Sequence, residues 1–143
     1  MAKIQVFIDT DVIISSLSSR TGASFAVINN SRIKKIISKT VRKEVVEVTA
    51  RLSVEKKKTQ IIFKKINTIS SNLSKKEILE DYGKYVSDQE DSHVVAGADR
   101  PKSRFLLTHN IKHYKVNKIN SGLGIIVLKP GNLLQYLRSL GKF

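Results

Sequence analysis

The chain has 143 residues, with 26 Lys+Arg against 12 Asp+Glu and a formal net charge of +14; this length predicts a single domain over residues 1–143. A hydrophobic content of 41% is enough to build a core, and the lack of cysteine excludes disulfides, thiolate nucleophiles, zinc fingers and iron–sulfur sites. The longest apolar runs, such as Gly124-Ile125-Ile126-Val127-Leu128, are too short to span a membrane, and the chain opens on a strand-like segment rather than a signal sequence, so a soluble cytoplasmic protein is expected.

Lys3 to Ile8 is rich in β-branched and aromatic residues and ends abruptly at Asp9-Thr10-Asp11, which reads as a buried strand. Apolar content resumes from Val12 to Leu17, and Ser18 to Gly22 forms a turn into a short helix over Ser24 to Asn29. Ile33 to Ser38 reads as a second strand. Thr40 to Leu52 reads as a helix whose apolar stripe is Val41, Val45, Val48 and Leu52. Ser53 is placed to cap a further helix running to about Ile69. Ser74 and Glu77 form a capping box, flanked by Leu73 and Ile78 as a hydrophobic staple, so a helix begins there. Asp88 to Asp99 reads as a helix stopped by Pro101. Arg104 to Thr108 and Gly124 to Leu128 are strand-like, and Pro130-Gly131 introduces a last helix carrying Leu133, Leu137 and Leu140. Strands alternating with helices predict an α/β fold with a mainly parallel central sheet covered on both faces, whose ligands bind beyond the carboxyl ends of the strands.

The scarce acids therefore decide the function. Asp9 and Asp11 follow the first strand, and Thr108 and Asn110 follow Phe105-Leu106-Leu107, so both pairs face the expected binding edge. At roughly 100° per residue, Glu44 borders the apolar stripe of its helix while Glu47 points away. Asp91 precedes Val94, Val95 and Ala98 at helical spacing and faces inward, with Asp88 on nearly the same side as a cap or an assisting acid, and His93 projecting opposite. His113 reads as an exposed basic residue. Clustered carboxylates force one another toward protonation unless a cation joins them. Magnesium or manganese, which prefer a few carboxylates plus water, fits the set Asp9, Glu44 and Asp91. A +14 chain attracts polyanions, and Arg42, Lys43, Lys56, Lys57 and Lys58, with Lys64-Lys65 and Lys75-Lys76, are candidate backbone contacts.

With these residues laid out, the chain resembles the PIN-domain nucleases, especially the VapC-like toxin components of toxin–antitoxin pairs. The resemblance rests on Val6-Phe7-Ile8-Asp9-Thr10-Asp11, Glu44, Asp88-Gln89-Glu90-Asp91 before Val94-Val95-Ala96, Leu106-Leu107-Thr108-His109-Asn110, and the late strand followed by proline and a leucine-rich helix. It implies a three-layer α/β/α sandwich and metal-ligating acids at Asp9, Glu44 and Asp91. Asp88 assists, and Thr108 lies beside the pocket. The expected activity is magnesium- or manganese-dependent ribonuclease activity, with a small antitoxin as partner and a homodimer as assembly. Asp11 stands where the family often has Asn, and Asn110 where many members place their last Asp. These departures leave two alternatives open: a catalytically weak or inactive PIN-like domain that binds RNA or a partner, and a haloacid-dehalogenase-type phosphatase in which Asp9 is the nucleophile.

Overall fold

The computed structural model describes residues 3–141. Five strands, β1 (Ile4–Ile8), β2 (Ile33–Ser38), β3 (Asn67–Ile69), β4 (Phe105–Leu107) and β5 (Ile126–Leu128), form one sheet in the order β3-β2-β1-β4-β5. Every pairing is parallel. Val6, Phe7 and Ile8 of β1, like all three residues of β4, are shut off from solvent, as expected of central parallel strands covered on both faces.

Among the described residues, eight α-helices connect and cover the strands: α1 (Thr10–Ser18), α2 (Ala23–Ile28), α3 (Lys39–Arg51), α4 (Lys56–Phe63), α5 (Lys75–Tyr82), α6 (Ser92–Asp99), α7 (Val116–Leu123) and α8 (Pro130–Ser139). Helix α1 packs on α2 and α3, α3 on α4, and α8 on α2, while α5 packs on α6, α6 lies against β1, β2 and β4, and α7 runs beside β5. The result is the expected three-layer α/β/α sandwich. No helix among the described residues is long and apolar enough to cross a membrane.

Local chemistry sets several boundaries. The Ser38 hydroxyl accepts from Val41 N and starts α3, and Ser74 and Glu77 close a full capping box at the start of α5. Leu73 and Ile78 are both partly buried against the core. Pro130 sits in the first turn of α8, where its missing N–H costs nothing. Along α6, Gly97 lies so close to β1 that a methyl group added to it would meet Phe7 Cζ at 2.5 Å. A side chain there would have to displace the ring.

The structure corrects four local expectations. The segment after Ser53 is not one helix to Ile69: Ser53 has a left-handed φ of 57°, α4 begins at Lys56 and ends at Phe63, and Asn67–Ile69 turns back as strand β3 beside β2. Helix α6 starts at Ser92 rather than Asp88, because Gln89–Asp91 forms a 3₁₀ turn first. Leu52 and Leu140 lie outside the core, 58% and 48% exposed, and Thr49 takes the buried place on α3 through its hydroxyl bond to Val45 O. Helices α1 and α7 add to the elements read from sequence.

Candidate functional site

Strand β1 ends at Asp9, whose extended backbone leaves the strand while its Oδ1 accepts from Thr10 N and caps α1. The backbone N–H of Asp9 continues the ladder by donating to Leu107 O, which ties the end of β1 to the end of β4. One residue beyond β4 is Thr108, fully buried, whose hydroxyl donates to Asp9 Oδ2 at 2.9 Å and lies 3.3 Å from Asp11 Oδ2. The Tyr114 hydroxyl donates to the same Asp9 oxygen at 2.9 Å. A carboxylate offers about four lone-pair positions, and these contacts from Thr10, Thr108 and Tyr114 take three of them.

Asp11, in the first turn of α1, receives the backbone N–H of His109 at 3.1 Å and the side-chain amide of Asn110 at 3.0 Å. Glu44, half-buried on α3, accepts from the Thr10 hydroxyl at 3.0 Å and lies 3.4 Å from His93 Nε2. Asp91, the residue before α6, lies 3.4 Å from His113 Nδ1. Asp88 accepts Glu90 N and holds the 3₁₀ turn. Asp9, Asp11, Glu44, Asp88, Asp91 and Asn110 all line one open cavity of about 420 Å³, together with His93 and His113. The cavity lies at the carboxyl edge of the sheet.

Burial dominates the electrostatics. It raises the Asp9 carboxyl above its ordinary range against the bonds from Tyr114, Thr108 and Thr10 N, with the charge of Glu44 adding to the rise. Burial and the neighbouring charge of Asp9 push Asp11 up to about 6, and the same two causes raise Asp91. Glu44 differs: burial opposes its charge, but the bond and charge of His93 with the Thr10 hydroxyl hold it below the ordinary range. Burial and the charge of Asp9 raise the Tyr114 phenol, so it stays a donor.

Sequence spacing led to two misplacements here. His93 does not project away from the acids, and His113 is not simply an exposed base: each sits against a cavity carboxylate. His93 Nδ1 is moreover buried without a hydrogen-bond partner in the structure. Tyr114 escaped sequence reasoning altogether, since its place depends on long-range contacts such as the antiparallel bridge between Val86 and Tyr114. Of the candidate cations, Arg42 is engaged within the fold, donating to the Thr68 hydroxyl and stacking 4.3 Å over the Phe63 ring. Lys43, Lys56, Lys57 and Lys58 are exposed and do not line the acidic cavity.

Among the described residues, no three carboxylates or imidazoles stand close enough together to hold a metal ion as arranged here. The donor chemistry nevertheless fits a hard divalent ion. Three of the acids are penalised for carrying charge, the cavity is open enough for an ion with its waters, and such ions are content with one or two carboxylates plus water. A cation there would offset both the burial penalty and the repulsion between neighbouring carboxylates.

A family model described as PIN domain matches residues 5–112. No curated protein matches the chain. Among solved structures, a toxin–antitoxin complex from Klebsiella pneumoniae superposes with a TM-score of 0.63 at 20% identity, covering 87% of this chain and 97% of that one. VapBC-1 from nontypeable Haemophilus influenzae gives a TM-score of 0.59 at 15% identity over 90% and 99% of the two chains. VapBC2 from Rickettsia felis, bound to a DNA fragment from its promoter, gives 0.54 at 14% over 88% and 98%. At these identities the likeness is one of fold.

Proposed function

The chain belongs to the PIN-domain family, and from that premise we propose that it is a metal-dependent endoribonuclease, the toxin component of a toxin–antitoxin pair. The observation that carries the reading is the convergence of Asp9, Asp11, Glu44, Asp88 and Asp91 on one cavity of a chain with a net charge of +14. An acidic pocket on a basic protein suits phosphodiester cleavage, because the cations attract the backbone while the acids are reserved for the reacting phosphate. Similarity to toxin–antitoxin complexes supports a small antitoxin as partner; a homodimer is the assembly we propose.

Asp9, Glu44 and Asp91 are the acids that would hold magnesium or manganese, one or two of them directly and the rest through its waters, and the ion would supply an activated water and neutralise charge at phosphorus. Asp9 is fixed by Thr10 N, Thr108 and Tyr114, so its remaining lone pair points in one defined direction. Thr10 and His93 orient Glu44, and His113 holds Asp91. Exposed Lys43, Lys56, Lys57 and Lys58 bind backbone phosphates and carry affinity with little sequence information. With no cysteine available, water is the expected nucleophile, and displacement is in line, without a covalent enzyme intermediate. Membership of the PIN family leaves no place for a phosphatase with Asp9 as nucleophile.

The test is end-labelled RNA incubated with manganese or magnesium and then with chelator. Cleavage that stops with chelator, and that is lost in Asp9→Asn and Asp91→Asn proteins still binding RNA, is the expected result. Cleavage surviving both substitutions overturns the assignment. One observation favours a second reading, a PIN-like domain that binds RNA or a partner without cutting it. Asn110 spends its side chain on Asp11 instead of adding an acid, and RNA bound but intact in manganese would establish that reading.

A further inference from the structure

The parallel sheet has a second end. Where the strands begin, at Lys3 before β1, Ile33 of β2 and Asn67 of β3, lies another open cavity of about 400 Å³. Lys3, Lys34, Lys35 and Lys65 line it, and no acid does. Lys35 is only 7% exposed; its ammonium donates to Ile28 O and Asn30 O, each at 2.8 Å, where α2 ends. These bonds take two of the three ammonium donors. Lys65 donates to the Asn29 side chain across the same cavity. Among the described residues, none of the four lysines is ion-paired with a carboxylate.

Four cations around one pocket repel one another, and a buried charge ordinarily has an opposite charge beside it. Burial, and then the charges of Lys3 and Lys65, hold the Lys35 ammonium below the usual lysine range. Two carbonyls offset part of that cost. They do not explain why three more lysines share the pocket. An external anion does.

Its chemistry can be narrowed. Lysine is a compact point charge suited to phosphate oxygens, and the other polar lining groups are the amides of Asn29 and Asn67 and the hydroxyl of Ser31. No aromatic ring lines the pocket to stack a base, so it is suited to the backbone and blind to sequence. Strand β1, five residues long, separates this end from the acidic cavity by on the order of 15–20 Å. We propose that the pocket is a second nucleic-acid contact, an anion site that seats a backbone phosphate of the RNA strand away from the point of cleavage. The choice of RNA rests on the ribonuclease reading above.

The experiment is fluorescence anisotropy of a labelled 15-nucleotide single-stranded RNA in chelator, so that binding is read without cutting. Lys34→Gln/Lys65→Gln removes two exposed lysines and leaves the Lys35 bonds to α2 intact. Lys84→Gln/Lys118→Gln changes the net charge equally at exposed positions outside the pocket. The pocket variant is expected to bind at least ~10-fold more weakly, with the salt slope reduced by about 1.4 for two lost single-strand contacts, while the control stays within ~2-fold of the wild type. Equal losses in both variants, or none in the pocket variant, overturn the proposal. Melting curves in inorganic phosphate separate the remaining source: stabilisation of the wild type but not the pocket variant, with RNA affinity unchanged, assigns the pocket to a small phosphate and overturns the polynucleotide contact. The nuclease reading fails separately, through manganese-independent cleavage or none, and neither result moves the anisotropy.

Discussion

The two edges of one parallel sheet carry the same problem with opposite sign. At the carboxyl edge, burial pushes Asp9, Asp11 and Asp91 toward protonation, with the charge of Glu44 adding to Asp9 and that of Asp9 adding to the other two; at the amino edge, Lys35 is pushed toward neutrality by burial and by Lys3 and Lys65. The fold answers them differently. The acids are held by a network of hydroxyl, amide and imidazole groups that fixes each carboxylate, whereas at the lysine pocket Lys35 is anchored by two carbonyls and Lys65 by one side-chain amide, and Lys34 stands exposed. The first arrangement suits chemistry that demands a set geometry. The second suits attraction alone. A like-charged cluster thus marks where an outside counterion belongs, and the rigidity of its surroundings indicates what is done with it.

Asp9→Asn should break the acidic side of this contrast most severely. It is expected to lower RNA cleavage in manganese by about 10³-fold or more, from several kcal/mol of lost charge stabilisation, while RNA affinity in chelator stays within ~2-fold. A loss of affinity as large as the loss of rate would show that the two edges are not functionally separate. Tyr114→Phe tests the supporting network. Deleting the donor to Asp9 should weaken manganese binding by roughly 10–100-fold in calorimetry without RNA; unchanged affinity in a folded protein would reduce Tyr114 to packing.

Asp11→Asn has the smallest effect and the most informative sign. Because Asp11 titrates near 6 in the folded chain against 3.8 for a free side chain, the native state binds its proton more tightly. Its contribution to stability therefore rises as pH falls through about 6 and levels off below 3.8. Above pH 7 the ionised group is a net cost, so Asp11→Asn in chelator should stabilise the protein by about 1–2 kcal/mol after allowance for its partial solvent exposure. That gain should shrink toward zero by about pH 4. Denaturant unfolding at pH 7.5 and 4.5 measures both ends, and a destabilised variant at pH 7.5 would mean that the bonds from His109 N and Asn110 outweigh the repulsion from Asp9.

Much of this was legible in the sequence where local chemistry is decisive. The apolar runs of β1 and β2 and the box at Ser74 each announce an element, and strands alternating with helices announce the layers. Strand β3 was hidden because three residues after a lysine-rich helix carry too short a pattern to separate from its continuation. Helix α1 was hidden because its cap, Asp9, is also a candidate ligand. Helix α7, with its Asn, Ser and Gly residues, has little intrinsic helical signal. The errors at His93 and His113 have a different origin. Angular arithmetic assumed a regular helix from Asp88, whereas the chain runs as a 3₁₀ turn through Asp91, and no spacing within one helix reveals a contact made between two.

The bare Cα of Gly97 is where α6 meets Phe7 on β1. Asp91 stands at the head of that helix and Asp9 two residues past that ring, so the close approach of Gly97 to the tip of the Phe7 ring ties together the two elements that carry these acids. A larger residue there would have to shift the ring or the helix, and so would disturb the alignment of Asp9 with Asp91 from a position that touches neither carboxylate.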